Sequence, residues 1–454
     1  MKDSFISTIP KELIPYKLPN NWKWFFWSDL ISNYQQGMIR SNSQLGKGNS
    51  EYLKMGDLDS SGRANFSSLA KAEASQKEIE EFLLKEGDFL INVRNSKELV
   101  GKTCIIENIN RRTVLFNHML VRMDHRSIEL NYYINAFLNI PSSKKMLDRI
   151  KQGTTTVIAL YQRDLNKLPI SLPDSKTFKR IVKFYKSINA KIELNNKIND
   201  NLELMAKTLY DYWFVQFDFP DANGKPYKTS GGKMVWNEEL NRDIPEGWEL
   251  NFLTKEMDLQ YGFPFSTNLF NENEEGVPVV RIRDILNCTI SNYSTEMVDE
   301  KYKLYKGDIL VGMDGNFHIN YWNKENCYLN QRALRIRSKE NSISEIQVRF
   351  SIEPYIKARE KNVSRTTVAH LSAKDVNDLK VLKATSKIQY KANEFFKSTL
   401  KKIISNSVEN QELASLRDWL LPMLMNGQVS VGGVEVEDSE LGMVAEDKVE
   451  YKKG

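Results

Sequence analysis

The chain repeats itself, and the repeat constrains its fold more than any other feature. Leu18-Pro19-Asn20-Asn21-Trp22 returns as Ile244-Pro245-Glu246-Gly247-Trp248, and Lys85-Glu86-Gly87-Asp88-Phe89-Leu90 as Tyr305-Lys306-Gly307-Asp308-Ile309-Leu310. Asn117, ahead of Leu120-Val121-Arg122-Met123, is echoed by Asn330, ahead of Leu334-Arg335-Ile336-Arg337. Thr155-Thr156-Val157 matches Thr366-Thr367-Val368, and Leu160, Asp164, Asn166 and Leu168 match Leu371, Asp375, Asn377 and Leu379. The order is kept while the offset shrinks, which marks a duplication whose second copy has shorter loops. The matched residues are punctuation and core. Gly-Asp before an apolar run predicts a turn entering a strand, and the Thr-Thr-Val block predicts a strand, a loop and a strand. The copies differ in polar loop material, as expected of one scaffold presenting two binding surfaces.

A long helix is predicted after each copy. From about Phe178 to Trp213 there is neither Pro nor Gly, and Ile181, Phe184, Ile188, Ile192, Ile198, Leu202, Met205, Leu209 and Trp213 recur mostly at steps of three and four. A second stripe runs from about Tyr390 to Met425. The stripes either pair in an intrachain coiled coil, which is the economical arrangement, or pack separately on their own domains. Asp218 to Gly232 carries turn and linker chemistry, and the segment from Ser430 onward is acidic in its middle. With 454 residues, 41% hydrophobic and 27% charged, several globular domains are expected. No apolar run reaches a membrane span, the first ten residues lack a signal-like core, and three scattered cysteines fit a reducing, cytoplasmic setting. A net charge of +5 permits a polyanionic partner without requiring one.

The sequence shows no catalytic constellation. Ser96 to Thr103 approaches a phosphate-binding loop but lacks its first glycine, so a Gly-Lys turn is the reading. No Asn-Pro-Pro-aromatic motif is present, and neither Pro173-Asp174 nor Pro220-Asp221 is followed by the acids and lysine of a metal nuclease. His118, His125, His318 and His370 show no metal-ligand spacing. No catalytic residue and no metal site are expected.

Several motifs together resemble the specificity subunit of Type I restriction–modification systems: Tyr210 to Pro220, Gly224 to Lys228, Ile244 to Trp248, and Asn410 to Pro422. The resemblance spans Leu18 to Val429, and the segment beyond it is longer than the motif needs. It implies an α+β protein with two homologous α/β target recognition domains, separated by two long antiparallel coiled-coil helices and related by a pseudo-twofold. The domains would be residues 1–175 and 244–386, the helices 176–217 and 387–429, with a linker at 218–243 and a flexible tail at 430–454. Each domain would read half of a split double-stranded DNA site. Two modification (methyltransferase) subunits would dock on the helices and methylate adenine. Restriction subunits would translocate and cleave. S-adenosylmethionine, ATP and Mg²⁺ would be used by those partners, with no cofactor on this chain and no membrane partner.

Base edges are read by side chains with paired donors and acceptors, so polar loop residues are the candidate readers. In the first copy they are Gln36, Arg40, Asn42, Arg63, Asn92, Arg94, Asn95, Lys97, Lys151, Gln152 and Thr154. In the second they are Tyr261, Ser266, Arg281, Arg283, Asp314, Asn316, His318, Ser364, Arg365 and Thr366. The lysines and arginines among them could equally touch phosphate, which positions without specifying. Leu209, Trp213, Phe214 and Phe217, with Leu416, Trp419, Leu420 and Leu424, are more apolar than a helix end requires. They form either a partner-subunit interface or a cap on the core where helix meets domain. A coiled-coil adaptor and an unfamiliar nuclease are the rival readings.

Overall fold

The computed structural model describes residues 16–432, apart from 60, 110–111, 154–156, 341 and 362–369. Internal contacts divide the chain into two units, Met1–Ala190 with Leu413–Gly454, and Lys191–Glu412. Both long helices therefore contribute to both units, and the division falls within the helices rather than at their ends.

The first unit is built on a four-stranded antiparallel sheet, ordered Ile31–Gln36, Leu120–His125, Phe89–Asn92, Thr103–Ile105. Beside it Leu45–Leu53 pairs antiparallel with Ala70–Ala72 and parallel with Val114–Phe116. Lys23–Phe26 pairs with Pro169–Leu172, and helix Ile128–Asn139 covers the sheet. The second unit repeats this plan. Its four-stranded sheet runs Met257–Tyr261, Ala333–Ser338, Ile309–Gly312, Ile319–Tyr321. Val277–Val280 pairs parallel with Cys327–Leu329, and Glu249–Phe252 pairs with Lys380–Lys383. Individual backbone hydrogen bonds recur as well. Trp27 N–H donates to Leu168 O at 2.9 Å and Leu253 N–H to Leu379 O at 2.8 Å; Gly87 N–H to Ile106 O and Gly307 N–H to Trp322 O are both 2.8 Å. The duplication read in the sequence is thus a duplication of chain trace.

The Gly-Asp pairs act as predicted, for a visible reason. Gly87 (φ +84°) and Gly307 (φ +97°) take the left-handed backbone that glycine tolerates. Asp88 then accepts the N–H of Lys85 at 2.8 Å, and Asp308 that of Tyr305 at 2.7 Å, closing each turn. Each aspartate also meets an arginine from the neighbouring strand, Arg122 at 3.2 Å and Arg337 at 2.6 Å. The stretch after the Thr-Thr-Val blocks departs from the predicted loop. Asp164 and Asp375 lie in short helices, Gln162–Leu165 and Ala373–Asn377, because the Ser372–Asp375 capping box starts the second of them. Thr155, Thr156, Thr366 and Thr367 lie outside the described residues.

The helices span Ser175–Tyr210, continued by a π-helical turn Asp211–Val215, and Ser386–Met425. Within the second unit they run antiparallel: Asn195 donates to Asn410 at 2.9 Å, Asn406 to Asn199 at 2.8 Å, and Asn199 to the carbonyl of Ile403 at 3.2 Å. Within the first unit Arg417 reaches Asn189 at 2.9 Å, while Ile181, Val182 and Tyr185 share a core with Leu421, Leu424 and Met425. The helices pair, but the apolar stripe is interrupted by buried asparagines 189, 195 and 406. Met205, read as part of the stripe, is exposed, and Ala206 takes the buried position beside it. The linker expected at 218–243 is also more regular than predicted. Asp218 caps Thr229 at 2.7 Å, and Met234–Asn237 forms a hairpin with Arg242–Pro245.

Candidate nucleic-acid interface

One feature recurs at the same edge of both four-stranded sheets. A Cβ on Gly37 would lie 2.4 Å from Asn117 O, and one on Gly262 would lie 1.9 Å from Asn330 O. Only glycine lets the edge strand approach the turn that begins at the repeated asparagine. Gly37 N–H then donates to Leu120 O at 3.1 Å, and Gly262 N–H to Ala333 O at 3.0 Å. The pairing of Gln36-Gly37-Met38 with Tyr261-Gly262-Phe263 is legible as another block of the repeat, though a single matched glycine between unlike neighbours is a weak signal.

In the first unit this edge gathers several predicted readers. Gln36 is exposed and donates to His118 O at 2.8 Å, on the same turn. Val93 N–H donates to Met119 O at 2.9 Å, which sets Arg94 and Asn95 beside that turn. The strand Arg94–Asn95 pairs with Ile158–Ala159, which pairs with Gln152–Gly153. Lys97 and Lys151, with Lys102 and Lys144, line an adjoining cavity of about 500 Å³, joined there by Glu98 and Asp148. Lys151 is anchored by Asp148 at 2.7 Å and by Lys97 O at 3.2 Å. Gln152 is exposed and donates to Asp164 at 2.8 Å. Such a basic surface suits a phosphate backbone. Asn42 is exposed on a separate 3-10 turn.

Other predicted readers are turned to structural work. Asn92 is fully buried and donates to Leu99 O at 2.9 Å, because it ends a central strand covered on both faces. Arg40 is clamped by Glu78 at 2.7 Å and by the carbonyls of Ile39 and Glu73. The Glu78 carboxyl is held down to about 2, first by the backbone N–H of Ser75 and then by Arg40. Arg63 sits beside Asp59 and bridges to Ile105 at the end of the strand Thr103–Ile105 rather than at the glycine edge. Thr154, Ser364, Arg365 and Thr366 lie outside the described residues.

In the second unit Tyr261 stands next to Gly262, half-buried, with its hydroxyl unpartnered among the described residues. Asp314 receives the Nδ1 of His370 at 2.6 Å and the guanidinium of Arg332 at 3.3 Å. Asn316 is exposed and its carbonyl accepts the N–H of His318 at 2.8 Å. Arg281 and Arg283 converge on Asn292, Arg283 at 2.9 Å, while Ser266 takes Glu296 on its N–H at 2.8 Å. Arg332 and His370 were not among the predicted readers; the duplication pairs them with Met119 and Ala159, which carry no polar signal.

The apolar residues at the helix ends divide in two. Phe214, Phe217 and Leu424 are buried, which corrects their reading as partner interface. Phe214, Phe217 and Phe219 surround Trp248 at ring-centroid distances of 5.3, 5.5 and 5.1 Å, so the Tyr210–Pro220 and Ile244–Trp248 motifs form one aromatic box. In the first unit the equivalent Trp22 shares a core with Leu421, Leu424 and Met425, and a Cβ on Gly427 would meet Pro19 at 2.4 Å. Each opening Pro-x-x-Trp element therefore packs on the end of the helix that follows the other copy. Leu209, Trp213 and Leu420 pack partly buried against these cores, whereas Leu416 and Trp419 stay exposed, Trp419 at 66%. Leu194, Leu204, Met205 and Tyr212 are also exposed on the first helix and its continuation.

Among the described residues no cluster of His, Cys, Asp and Glu could hold a metal ion, and no helix is long and apolar enough to cross a membrane. The chain matches the family described as Type I restriction modification DNA specificity domain over residues 19–204 and again over 245–415. It is 22% identical over 409 residues to the Type I restriction enzyme HindI specificity subunit of Haemophilus influenzae, covering 76% of this chain and 87% of that one. It is 23% identical over 420 residues to the MjaIX specificity subunit of Methanocaldococcus jannaschii, covering 89% and 90%. A local match of 33% over 152 residues links it to the EcoBI specificity subunit of Escherichia coli, covering 33% of this chain and 32% of that one. The crystal structure of the Type-I restriction-modification system S subunit from M. genitalium shares the fold, with a TM-score of 0.50 and 16% identity over 90% of this chain and 98% of that one. The chain therefore belongs to the specificity subunits of Type I restriction–modification systems, a family of DNA sequence recognition, and carries the family's domain twice.

Proposed function

We propose that this chain reads a bipartite, asymmetric double-stranded DNA site, one half with each lobe. The observation that carries the reading is the repeated glycine edge. The same close approach of edge strand to turn recurs in both lobes, yet it is dressed with Gln36, Arg94 and Asn95 in one and with Tyr261, Asp314 and Arg332 in the other. A shared scaffold with unlike polar side chains suits two unlike half-sites. The chain supplies recognition and scaffolding. Adenine methylation and ATP-dependent cleavage belong to modification and restriction subunits, which bring S-adenosylmethionine, ATP and Mg²⁺. The exposed apolar residues Leu416 and Trp419 in the first unit, and Met205 and Tyr212 in the second, offer docking surfaces to those subunits.

The test is binding of the purified chain, alone and with modification subunits, to random and site-bearing duplexes across a salt series. The reading expects a steep salt slope together with site preference. Salt-insensitive binding without preference would favour an adaptor, and DNA cleavage by the chain with Mg²⁺ alone would favour a nuclease.

A further inference from the structure

We infer that Arg332 reads a guanine in the half-site taken by the second lobe, with Asp314 as its positioning residue; the inference rests on the DNA-reading role proposed above. Arg332 stands on the turn that packs against Gly262, at φ +68°. That left-handed backbone is uncommon for a long side chain and is tolerated where the surroundings hold it, typically at functional sites. Here the carbonyl of Arg332 is fixed by Met313 N–H at 2.9 Å, so the backbone is pinned while the side chain stays 60% exposed.

Among the described residues the guanidinium is anchored at one corner. Its Nη1 lies 3.3 Å from Asp314 Oδ2, and the other carboxylate oxygen is taken by His370 Nδ1 at 2.6 Å. Asp314 is thereby held from two sides, and the structure gives Nη2 and Nε of Arg332 no partner among the described residues. An arginine steadied by a carboxylate, with two nitrogens that have no partner among the described residues, matches the paired acceptors O6 and N7 on the major-groove edge of guanine.

The first lobe shows that this pair is not needed to hold the fold. The same rung exists there, with Val93 N–H on Met119 O at 2.9 Å, but Met119 stands where Arg332 does, Arg94 where Asp314 does, and Ala159 where His370 does. The same backbone rung forms without the ion pair, and Met119 does not share the left-handed backbone of Arg332. The pair therefore varies with the surface that is presented, as a specificity residue would.

The full chain and its Arg332→Lys, Arg332→Ala and Asp314→Asn variants would be used to select from a randomised double-stranded oligonucleotide library, then titrated with defined duplexes over a salt series. Thermal melting would confirm that each variant folds. The unsubstituted chain is expected to select guanine at one position of one half-site. Arg332→Lys keeps the charge but loses the fork, so preference at that position should fall roughly 10- to 100-fold, the range of one bidentate pair. Its salt slope and the other half-site should not change, and Asp314→Asn should relax the same position less. If every position keeps its preference in Arg332→Lys and Arg332→Ala, the inference is overturned. It is equally overturned if Arg332→Ala weakens all sequences alike and lowers the salt slope, which is the signature of a phosphate contact. An unsubstituted chain that selects no sequence would instead bring down the DNA-reading role itself.

Discussion

Single residues carry both the fold and the departures from expectation. Trp248 is buried at 6% among three phenylalanines, so Trp248→Ala should lower stability by about 3–5 kcal/mol. Trp419, 66% exposed, should change stability by less than about 0.5 kcal/mol when replaced by Ala, while weakening co-purification with modification subunits. Urea denaturation and pull-down read the two effects apart, and equal destabilisation by both substitutions would contradict the division. His125 gives a pH prediction. Trp27 Nε1–H donates to its Nε2 at 2.8 Å, so the ring proton sits on Nδ1, 2.6 Å from Asn131 Oδ1. Burial holds the imidazole neutral, with its pKa down at about 4, against the weaker opposing pull of Asn131. The unfolded chain takes up the proton near the ordinary value of about 6.5, before the folded chain does. The resulting stability is present above about pH 6.5 and is lost as pH falls toward 4, a change on the order of 3 kcal/mol. Stability measured against pH should therefore fall less steeply over that window in His125→Gln than in the parent. At this scale the sequence exposes residue type but not direction. Asn92 and Arg40 had reader chemistry yet face inward, because the burial of a strand end and the pull of Glu78 are set by tertiary neighbours.

Elements were far more legible than their decoration. The Gly-Asp turns, both long helices and the strands that follow each turn are local signals of glycine conformation and apolar period, and they stand within a few residues of the positions read. What the period could not reveal is the polar seam. Asn189, Asn195 and Asn406 occupy positions where aliphatic residues would have stabilised the pair more, and buried amides of this kind fix register at some cost in stability. Within the second unit, Asn195 meets Asn410 and Asn199 meets Asn406, so a shift of one helix against the other separates both pairs at once. Seven residues inserted into the first helix alone, between Asn195 and Asn199, should strand buried amides and lower the melting temperature clearly. The same insertion matched by seven residues between Asn406 and Asn410 should restore much of the loss. Equal stability of the single and double insertions, measured by calorimetry, would mean that the asparagines do not set the register.

For the molecule as a whole, the order of repeated blocks announced the duplication, and the recurrence of backbone hydrogen bonds in both lobes gives it a physical form. The closure was not legible. That Trp22 would pack with Leu421, Leu424 and Met425, and Trp248 with Phe214, joins residues too distant in sequence for any local pattern to connect them. In the proposed function the paired helices set the distance between half-sites. Seven added residues in each helix lengthen it by roughly 10 Å at 1.5 Å per residue, or about three base pairs. The deciding measurement is a genome-wide map of adenine methylation in cells carrying cognate modification subunits, with this gene absent, present, or lengthened in both helices. The account predicts a two-part motif that appears only with the gene, and a gap about three base pairs wider with the lengthened form. A contiguous motif, or a gap that does not move, would contradict it.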